Sequence, residues 1–345
     1  MISIVILNYN GRRNLGGILE KCLDSVFETD YPNFEVLFVD NASTDGSFEF
    51  VRGKYSVKKN LRMIRNEKNV GFAEGNNVGM KSAKGEFIAL LNSDTRVVSG
   101  WLQELAKVIQ FPQAGAVQSK LLLMDSPDLL DCAGGLLDYY GYHLERGRGE
   151  KSSKYNKTAE IFYAKGAGVL FKREVLEKIG LFDRDIFMYF DETDLCWRIR
   201  LKGYKVFFAP ASIVYHASGL TASKLHTKTR HYFHARNHLL VLLKNYNLGN
   251  AVKAVIVSLF FEARNFVLFL ARRKPRISMA IGQALFWNLR NLGSTWKKRR
   301  VVQEFVRVVP DVRIKEAMLT PYPPFPLYVL FSRFRYLKRK QKNNT

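Results

Sequence analysis

The sequence of 345 residues predicts an α/β fold with a mostly parallel sheet flanked by helices, followed by a basic helical region. Two observations predict the sheet: short apolar runs rich in β-branched residues end at polar residues, and segments with helical spacing separate them. The charge distribution predicts the second region. Residues 1–223 contain 29 Lys and Arg against 27 Asp and Glu, a net charge of +2, whereas residues 224–345 contain 25 against 4, a net charge of +21.

The elements of the first half alternate along the chain. Strands are predicted at residues 3–8, 34–39, 61–65, 85–91 and 115–122, and helices at residues 14–29, 47–55, 75–83 and 100–110. Such alternation gives parallel strands, and ligands bind beyond the carboxyl ends of strands in sheets of this kind. Asn8, Asp40 and Asp94 each stand at or just after a predicted strand end. We therefore expect them to share one crevice.

The second half has a different character. Residues 123–165 are rich in turn residues, and strand signals return at 161–172, 206–209 and 211–215, with helices predicted at 174–179 and 191–201. From about residue 229 the pattern is helical, apolar and basic. We divide the chain into a domain over 1–228, with halves 1–122 and 123–228, and a helical region over 229–345.

Three carboxylates stand within four positions at the start of the predicted helix 191–201: Asp191, Glu192 and Asp194. Acidic groups stabilise helix N-termini, which accounts for one or two of them. The apolar run 186–190 before them predicts burial, which raises carboxyl pKa values, and a poised carboxylate can accept a proton from a hydroxyl. Asp194 and Arg198 lie four positions apart and either pair on the helix or contact a ligand.

Three further residues have both a structural and a chemical interpretation. Asp94 suits Mg²⁺ or Mn²⁺, which prefer oxygen ligands, although strand-end Asp residues also cap turns. Asp40 opens the polar turn 40–47 and either contacts a nucleotide or supports a helix cap. His216 follows a strand-like run, where a lone His is more often a hydrogen-bonded structural residue than a metal ligand.

Together these stretches resemble the family 2 glycosyltransferases of the GT-A fold. The resemblance is strongest to the bacterial branch with rhamnosyltransferases and galactofuranosyltransferases of surface-polysaccharide assembly. It covers roughly residues 1–240, and the motifs occur in the family's order. The matching pieces are residues 5–11, 39–46, 69–73, 91–95, 166–170 and 191–198.

The resemblance implies a role for each candidate residue. The half 1–122 would bind the nucleotide-sugar donor through Leu7, Asn8, Tyr9, Asp40, Asn41, Gly71, Asn77, Asn92 and Ser93. Asp94 and His216 would hold a divalent cation, Mg²⁺ or Mn²⁺. Glu192 would be the catalytic base, with Asp191 as its rival because this chain has Asp-Glu where Glu-Asp is common. The half 123–228 would bind the acceptor through Gly166, Ala167, Gly168, Asp194 and Arg198.

The implied reaction is an inverting, metal-assisted displacement. A carboxylate base deprotonates the acceptor hydroxyl, which attacks the anomeric carbon while the cation stabilises the departing diphosphate. The Q-x-x-R-W motif of processive synthases is missing from the sequence. Two other classes remain open: a nucleotidyltransferase, which would release pyrophosphate, and a non-catalytic, membrane-bound scaffold that only binds nucleotide sugars.

The basic C-terminal third predicts a peripheral or monotopic attachment to an anionic membrane. Residues 251–271 approach the length of a membrane span but contain Lys253, Glu262 and Arg264, so spanning and lying on the surface are nearly balanced. A solvated helical extension or an oligomer contact is the alternative, and no nucleic-acid module is recognisable. Three widely spaced cysteines and an N-terminus without a signal-peptide pattern predict the cytoplasmic face, with a glycan or lipid-linked acceptor.

Overall fold

The computed structural model describes residues 1–218 and 227–320. The described residues form two compact units. The first comprises residues 1–135, 145–218 and 306–309, and the second comprises residues 136–144, 227–305 and 310–320. A single cut at residue 228, as we placed it from the sequence, therefore leaves one short segment of each unit on the wrong side.

The first unit is built on a sheet of ten strands, counted over the described residues. In chain order the strands of the chain are β1 (Ile2–Asn8), β2 (Phe34–Asp40), β3 (Leu61–Arg65), β4 (Phe87–Asn92), β5 (Thr95–Val97), β6 (Ala114–Leu123), β7 (Ser126–Cys132), β8 (Gly135–Leu137), β9 (His143–Glu145), β10 (Ala159–Ile161), β11 (Val169–Lys172) and β12 (Lys205–His216). The spatial order is β10-β12-β6-β11-β4-β1-β2-β3, with β5 on β12 and β7 on β6, while β8 and β9 pair separately.

The sheet is mostly parallel along its main path, as predicted. β1 pairs in parallel with β2 and β4, and β2 with β3. β6 and β12 are also parallel, whereas β11 runs antiparallel between β4 and β6. Because β11 is reversed, its first residue, Val169, lies opposite Leu90 near the end of β4. The residues before β11 therefore reach the same sheet edge as the ends of β1, β2 and β4.

Seven helices of the first unit lie within its described residues. They are α1 (Gly11–Leu15), α2 (Ile18–Phe27), α3 (Ser47–Tyr55), α4 (Gly71–Ser82), α5 (Trp101–Ile109), α6 (Arg173–Ile179) and α7 (Asp191–Leu201), and a 3-10 turn spans Ser152–Lys154. Apolar side chains of α2 and α5, such as Leu19, Leu23, Trp101 and Leu105, pack fully buried into the sheet's core. This burial is the main stabilising contribution to the unit.

Three predicted elements differ from the structure. The helix predicted over 14–29 is two helices, because Gly16 takes a left-handed conformation and ends α1. The strand predicted over 161–172 is interrupted, and residues 162–168 form a loop between β10 and β11. The runs 206–209 and 211–215 form one long strand, β12, with an irregular register between Ala209 and Ile213.

The second unit is helical, as predicted for this region. Its helices are α8 (Thr227–Asn245), α9 (Leu248–Ala271), α10 (Pro275–Arg290), α11 (Leu292–Val301) and α12 (Asp311–Glu316), and a π-helical turn spans Val302–Val306. Tyr246 is fully buried and its hydroxyl donates to the Tyr139 carbonyl at 2.9 Å. The Tyr142 ring lies 4.5 Å from the His238 ring. These contacts make residues 136–144 an integral part of the unit.

Candidate active site

The carboxyl ends of β1 and β2 meet side by side at the candidate crevice. Asn8 and Asp40 are opposite each other in register, and both are fully buried. The Asn8 amide donates to Asp40 Oδ1 at 3.1 Å, and the Ser43 N–H donates to Asp40 Oδ2 at 2.9 Å. Asp40 therefore joins the strand end to the turn that follows. Tyr9, by contrast, is 43% exposed and is the side chain that solvent meets first.

Two of the residues predicted to contact the donor, Asn41 and Asn77, have side chains that are hydrogen-bonded within the protein. Asn41 is buried, and its amide makes four hydrogen bonds, with Asn66, Asn69, Val70 N–H and Gly71 O. Such an amide has no remaining donor or acceptor for a ligand. The Asn41 side chain therefore shapes the loop before α4.

Asn77 supports a different loop. It is buried, its amide donates to Glu74 and to the Phe182 carbonyl at 2.9 Å, and it accepts from the Phe182 N–H at 3.0 Å. The Asn77 side chain therefore ties α4 to the segment that precedes α7. Gly71 begins α4 with φ of 86°, and a Cβ there would lie 2.6 Å from the Phe187 carbonyl oxygen.

Asp94 and His216 lie together, as the resemblance implied. Asn92 and Ser93 are half-buried at the end of β4, and Asp94 follows them in the turn to β5. Asp94 Oδ1 is buried without a hydrogen-bond partner among the described residues and lies 3.2 Å from His216 Nε2. An orphaned carboxylate oxygen facing an imidazole nitrogen fits one edge of a divalent-cation site. No three His, Cys, Asp or Glu side chains of the described residues are arranged to hold a metal ion, so further ligands would have to come from the donor.

A third carboxylate, Asp131, supports His216 from behind. Asp131 Oδ2 lies 2.9 Å from His216 Nδ1 and 3.1 Å from Lys165 Nζ, and its side chain is fully buried. Burial alone would raise the pKa of Asp131, but His216 and Lys165 hold it well below its ordinary range. Burial likewise disfavours the charged ring, yet Asp94 and Asp131 raise the pKa of His216 to about 9. Asp131 therefore fixes the orientation of the ring and leaves Nε2 directed at Asp94.

Asp131 was not predicted as a site residue from the sequence. Asp131 is a single charged residue inside the apolar stretch 129–133, and this pattern predicts a buried charge with a partner. Two cations complete the group, since Lys165 also contacts Glu145 at 2.8 Å and Arg148 contacts both carboxylates.

The acidic pair at the start of α7 is divided by environment. Asp191 is buried, whereas Glu192 is half-buried and its Oε1 accepts a hydrogen bond of 2.9 Å from the Gly166 N–H. Burial and the neighbouring Glu192 carboxylate raise the pKa of Asp191 well above its ordinary range. Tyr189 and Phe190, just before the helix, both take left-handed backbone conformations, which are uncommon for such side chains. This turn aims the start of α7 at the loop that carries Gly166.

Two of the residues predicted to bind the acceptor, Asp194 and Arg198, pair with each other. Arg198 is buried, binds Asp194 Oδ2 at 3.0 Å, and donates to the carbonyls of Ile179, Gly180 and Leu181. The structural alternative for Asp194 and Arg198 therefore applies. Ala167 lies in the apolar core, and a Cβ at Gly168 would contact Leu121 and Val214. The Gly166 N–H donates to the candidate base Glu192.

Consecutive residues connect the two parts of the site. Lys165 reaches Asp131 and thereby the pair Asp94–His216, while the N–H of Gly166 holds Glu192. The candidate base Glu192 and the candidate cation site are thus connected through one short loop. This arrangement suits the transfer of a group that leaves with an anionic diphosphate.

Comparison with solved structures identifies the fold. Similar structures include two glycosyltransferase complexes with nucleotide sugars. TarS of S. aureus in complex with UDP-GlcNAc has a TM-score of 0.56 at 18% identity, over 92% of this chain and 88% of TarS. The mannosyltransferase PcManGT of Pyrobaculum calidifontis, in complex with GDP-Man and Mn²⁺, has a TM-score of 0.52 at 19% identity, over 84% and 86%. These matches confirm the predicted GT-A fold.

The family follows from the sequence match. The model of glycosyl transferase family 2 matches residues 3–180, which is more than half of the chain, so the chain belongs to that family, as predicted. A curated relative, the O-antigen biosynthesis protein RfbC of Myxococcus xanthus, is 30% identical over 62% of this chain. The matched region spans only about 17–41% of the length of such relatives.

Proposed function

We propose that this chain is an inverting glycosyltransferase that moves a sugar from a nucleotide-diphosphate sugar to a hydroxyl of a glycan or lipid-linked acceptor. The single observation that carries the proposal is the placement of Glu192. Its carboxylate is half-buried, is held by the Gly166 N–H at 2.9 Å, and starts α7 beside a buried Asp191. A carboxylate so fixed can take the proton of an acceptor hydroxyl as that oxygen attacks the anomeric carbon.

Glu192 is the base rather than Asp191 because of access. The raised pKa of the buried Asp191 keeps a proton on the pair, and Asp191 lies beneath the surface that an acceptor would reach. Asp191 then orients Glu192 and does not exchange protons with the acceptor. The Glu192 proton is lost to solvent after the sugar product leaves.

Asp94 and His216 would hold the divalent cation, and a bound Mg²⁺ or Mn²⁺ would supply electrostatic stabilisation of the leaving diphosphate. Asp131 orients His216 for that role, and Leu7, Asn8, Tyr9 and Asp40 would line the nucleoside side of the crevice. The Mn²⁺ in the PcManGT complex supports this assignment.

The setting we propose is cell-surface polysaccharide synthesis at the cytoplasmic face of the membrane. Support comes from the name of the relative RfbC, an O-antigen biosynthesis protein, and from the strongly basic C-terminal third. The acceptor would then be a growing glycan on a membrane lipid.

The test is a donor screen followed by one substitution. UDP-, dTDP- and GDP-sugars with Mn²⁺ identify the donor by thermal shift, and nucleoside diphosphate release measures turnover. Glu192→Gln should lower turnover by about 10²–10⁴-fold, the usual contribution of a general base, with donor affinity kept within about twofold. The matched control, Asp191→Asn, should lose less than about tenfold, because Asn still donates to Glu192.

Three results would contradict the proposal. Release of pyrophosphate in place of nucleoside diphosphate would indicate a nucleotidyltransferase. Unchanged turnover in Glu192→Gln would show that Glu192 is not the catalytic base. A product with the donor's anomeric configuration, seen by NMR, would exclude inversion.

A further inference from the structure

Helix α9 exposes a continuous apolar face along its whole length. Its exposed apolar side chains recur at helical spacing, and they are Leu248, Val252, Ile256, Leu259, Phe260, Ala263, Phe266, Val267 and Leu270. Soluble proteins rarely expose a contiguous apolar surface of this length to water. Such a surface is usually covered by a membrane or by another protein. Of the described residues, α9 is the one helix long and apolar enough to cross a membrane.

The next helix continues this face. α10 exposes Met279, Phe286 and Leu289, each more than 60% accessible, and it packs against α9 through the Ser278 hydroxyl, which donates to the Phe266 carbonyl at 2.8 Å. The two helices therefore form a hairpin. Trp296 of α11 is also half exposed.

The segment that carries the apolar face is rich in cations. Residues 248–301 contain 11 Lys and Arg but one acidic residue, Glu262. Four of the cations cluster at the hairpin tip within five positions: Arg272, Arg273, Lys274 and Arg276. All four are exposed, and none forms an ion pair within the described residues. Exposed apolar side chains next to unpaired cations match an anionic lipid surface.

We propose that α9 and α10 lie in the interface of an anionic bilayer, with their apolar side chains among the acyl chains and the tip cations at the lipid phosphates. The proposal deepens the proposed membrane-side function and rests on it only for biological context. Spanning by α9 conflicts with the packing, because its opposite face (Ala251, Ala254, Val257) is buried within the unit. A second copy of the chain is the competing occupant, but two such surfaces would bring their unpaired cations together.

Vesicle binding of the full chain tests the lipid preference. Cosedimentation with phosphatidylcholine vesicles containing one quarter phosphatidylglycerol should give at least tenfold tighter binding than phosphatidylcholine alone, and high salt should remove the difference. The triple change Arg272→Gln, Arg273→Gln, Lys274→Gln should abolish that preference. Its control is an equal loss of charge in the first unit: Arg52→Gln, Lys59→Gln, Lys68→Gln.

The apolar face is tested separately. Phe260→Ser with Val267→Ser should weaken binding to the anionic vesicles at least tenfold, whereas Val57→Ser, at an exposed apolar side chain of the first unit, should leave it unchanged. Equal binding by all variants would overturn the proposal. So would a dimer in light scattering that the double variant converts to a monomer.

Cysteine labelling distinguishes a helix α9 that lies in the membrane interface from one that spans the bilayer. The three native cysteines are buried, so a thiol introduced by Arg273→Cys at the tip or by Val57→Cys reacts alone. In spheroplasts, an impermeant maleimide should label neither until the membrane is opened. Labelling of the tip thiol in closed spheroplasts would mean that α9 spans. Nucleoside diphosphate release without lipid is measured in parallel, and if it persists when vesicle binding fails, the lipid proposal falls while the proposed function stands.

Discussion

Adjacent carboxyl groups in this site differ because one is buried and the other is accessible. Asp191 is enclosed at the start of α7, while Glu192 reaches the loop N–H of Gly166. Asp94 and Asp131 differ in their charged neighbours: the buried Asp131 carboxylate lies within ion-pair distance of His216, Lys165 and Arg148, whereas Asp94 Oδ1 lies 3.2 Å from His216 Nε2. These residues carry the same functional group, so their roles differ only through the atoms that each carboxyl oxygen contacts.

The raised pKa of Asp191 predicts a pH-dependent stability. Its folded pKa lies above the unfolded value, so the folded state holds a proton that the unfolded chain releases, and the folded state loses stability as pH rises between the two values. Asp191→Asn removes this loss. In urea unfolding, the free energy of unfolding of the variant should therefore rise relative to that of the native protein. The rise should be about 1.4 kcal/mol per pH unit above about pH 5, until the folded pKa of Asp191 is reached.

The control for this measurement is Asp45→Asn. Despite partial burial, hydrogen bonds from Ser47 and Arg13 lower the pKa of Asp45, so its contribution to stability is complete above the unfolded value. The Asp45→Asn difference should stay flat between pH 5 and 8. A flat difference for Asp191→Asn as well would show that Asp191 is ionised in the folded protein.

Asp131 is predicted to act on the cation through His216. Asp131→Asn keeps the shape but weakens the hold on the ring, and loss of such a partner usually costs about 10–100-fold in metal affinity. Mn²⁺ titration by electron paramagnetic resonance with UDP present measures this directly. Glu145→Gln, which removes the other carboxylate on Lys165, should change the affinity less than about threefold, and equal effects of both variants would reduce Asp131 to a general structural role.

At the scale of elements, the sequence predicted the regular parts and missed those set by distant contacts. The bounds of α3, β3 and α7 agree with the prediction, because their apolar spacing and terminal residues are local signals. Residues 162–168 were predicted as part of a strand because their composition is mostly apolar. In the structure they form a loop, and the Gly166 N–H in that loop donates to Glu192, 26 positions later. The hydrogen bonds of the buried amides Asn41 and Asn77 could not be predicted either, since the partners of an amide depend on its neighbours in the folded chain.

Gly71 illustrates an element start that requires glycine. Its φ of 86° and the Phe187 backbone oxygen, 2.6 Å from where a Cβ would be, leave no space for alanine. Gly71→Ala should lower the free energy of unfolding by about 2–4 kcal/mol from backbone strain and overpacking. The matched change is Gly53→Ala within α3, where a Cβ meets nothing within 4 Å, and it should raise stability by about 0.5–1 kcal/mol. Similar urea midpoints for the two variants would contradict this account.

Each of the two units contains a short segment from the part of the chain that otherwise forms the other unit. Residues 136–144 belong to the helical unit, and Val308 returns to the first unit, where its N–H donates to the Leu201 carbonyl at 2.8 Å. The composition shift near residue 224 locates the change of character but cannot reveal such exchanges, because segments of fewer than ten residues leave no compositional signal.

The exchange predicts the behaviour of a truncated chain. A chain ending at residue 228 keeps 136–144 but removes Tyr246 and His238, which hold the backbone of that segment. Chymotrypsin should then cut within a few minutes at Tyr139, Tyr140 or Tyr142, sites that stay protected in the full chain, as mass spectrometry of the fragments would show. Equal protection in both chains would mean that the first unit is complete without its exchanged partner.

The exchanged segments also set an order of events during synthesis. Residues 136–144 leave the ribosome well before α8 to α11 exist, and residues 306–309, which complete the first unit, follow only after those helices. At about 5–20 residues per second, the delay between residues 144 and 306 is roughly 10–30 s. The strands of the first unit are therefore synthesised before helices α8 to α11, and residues 136–144 have no helical partner until those helices emerge.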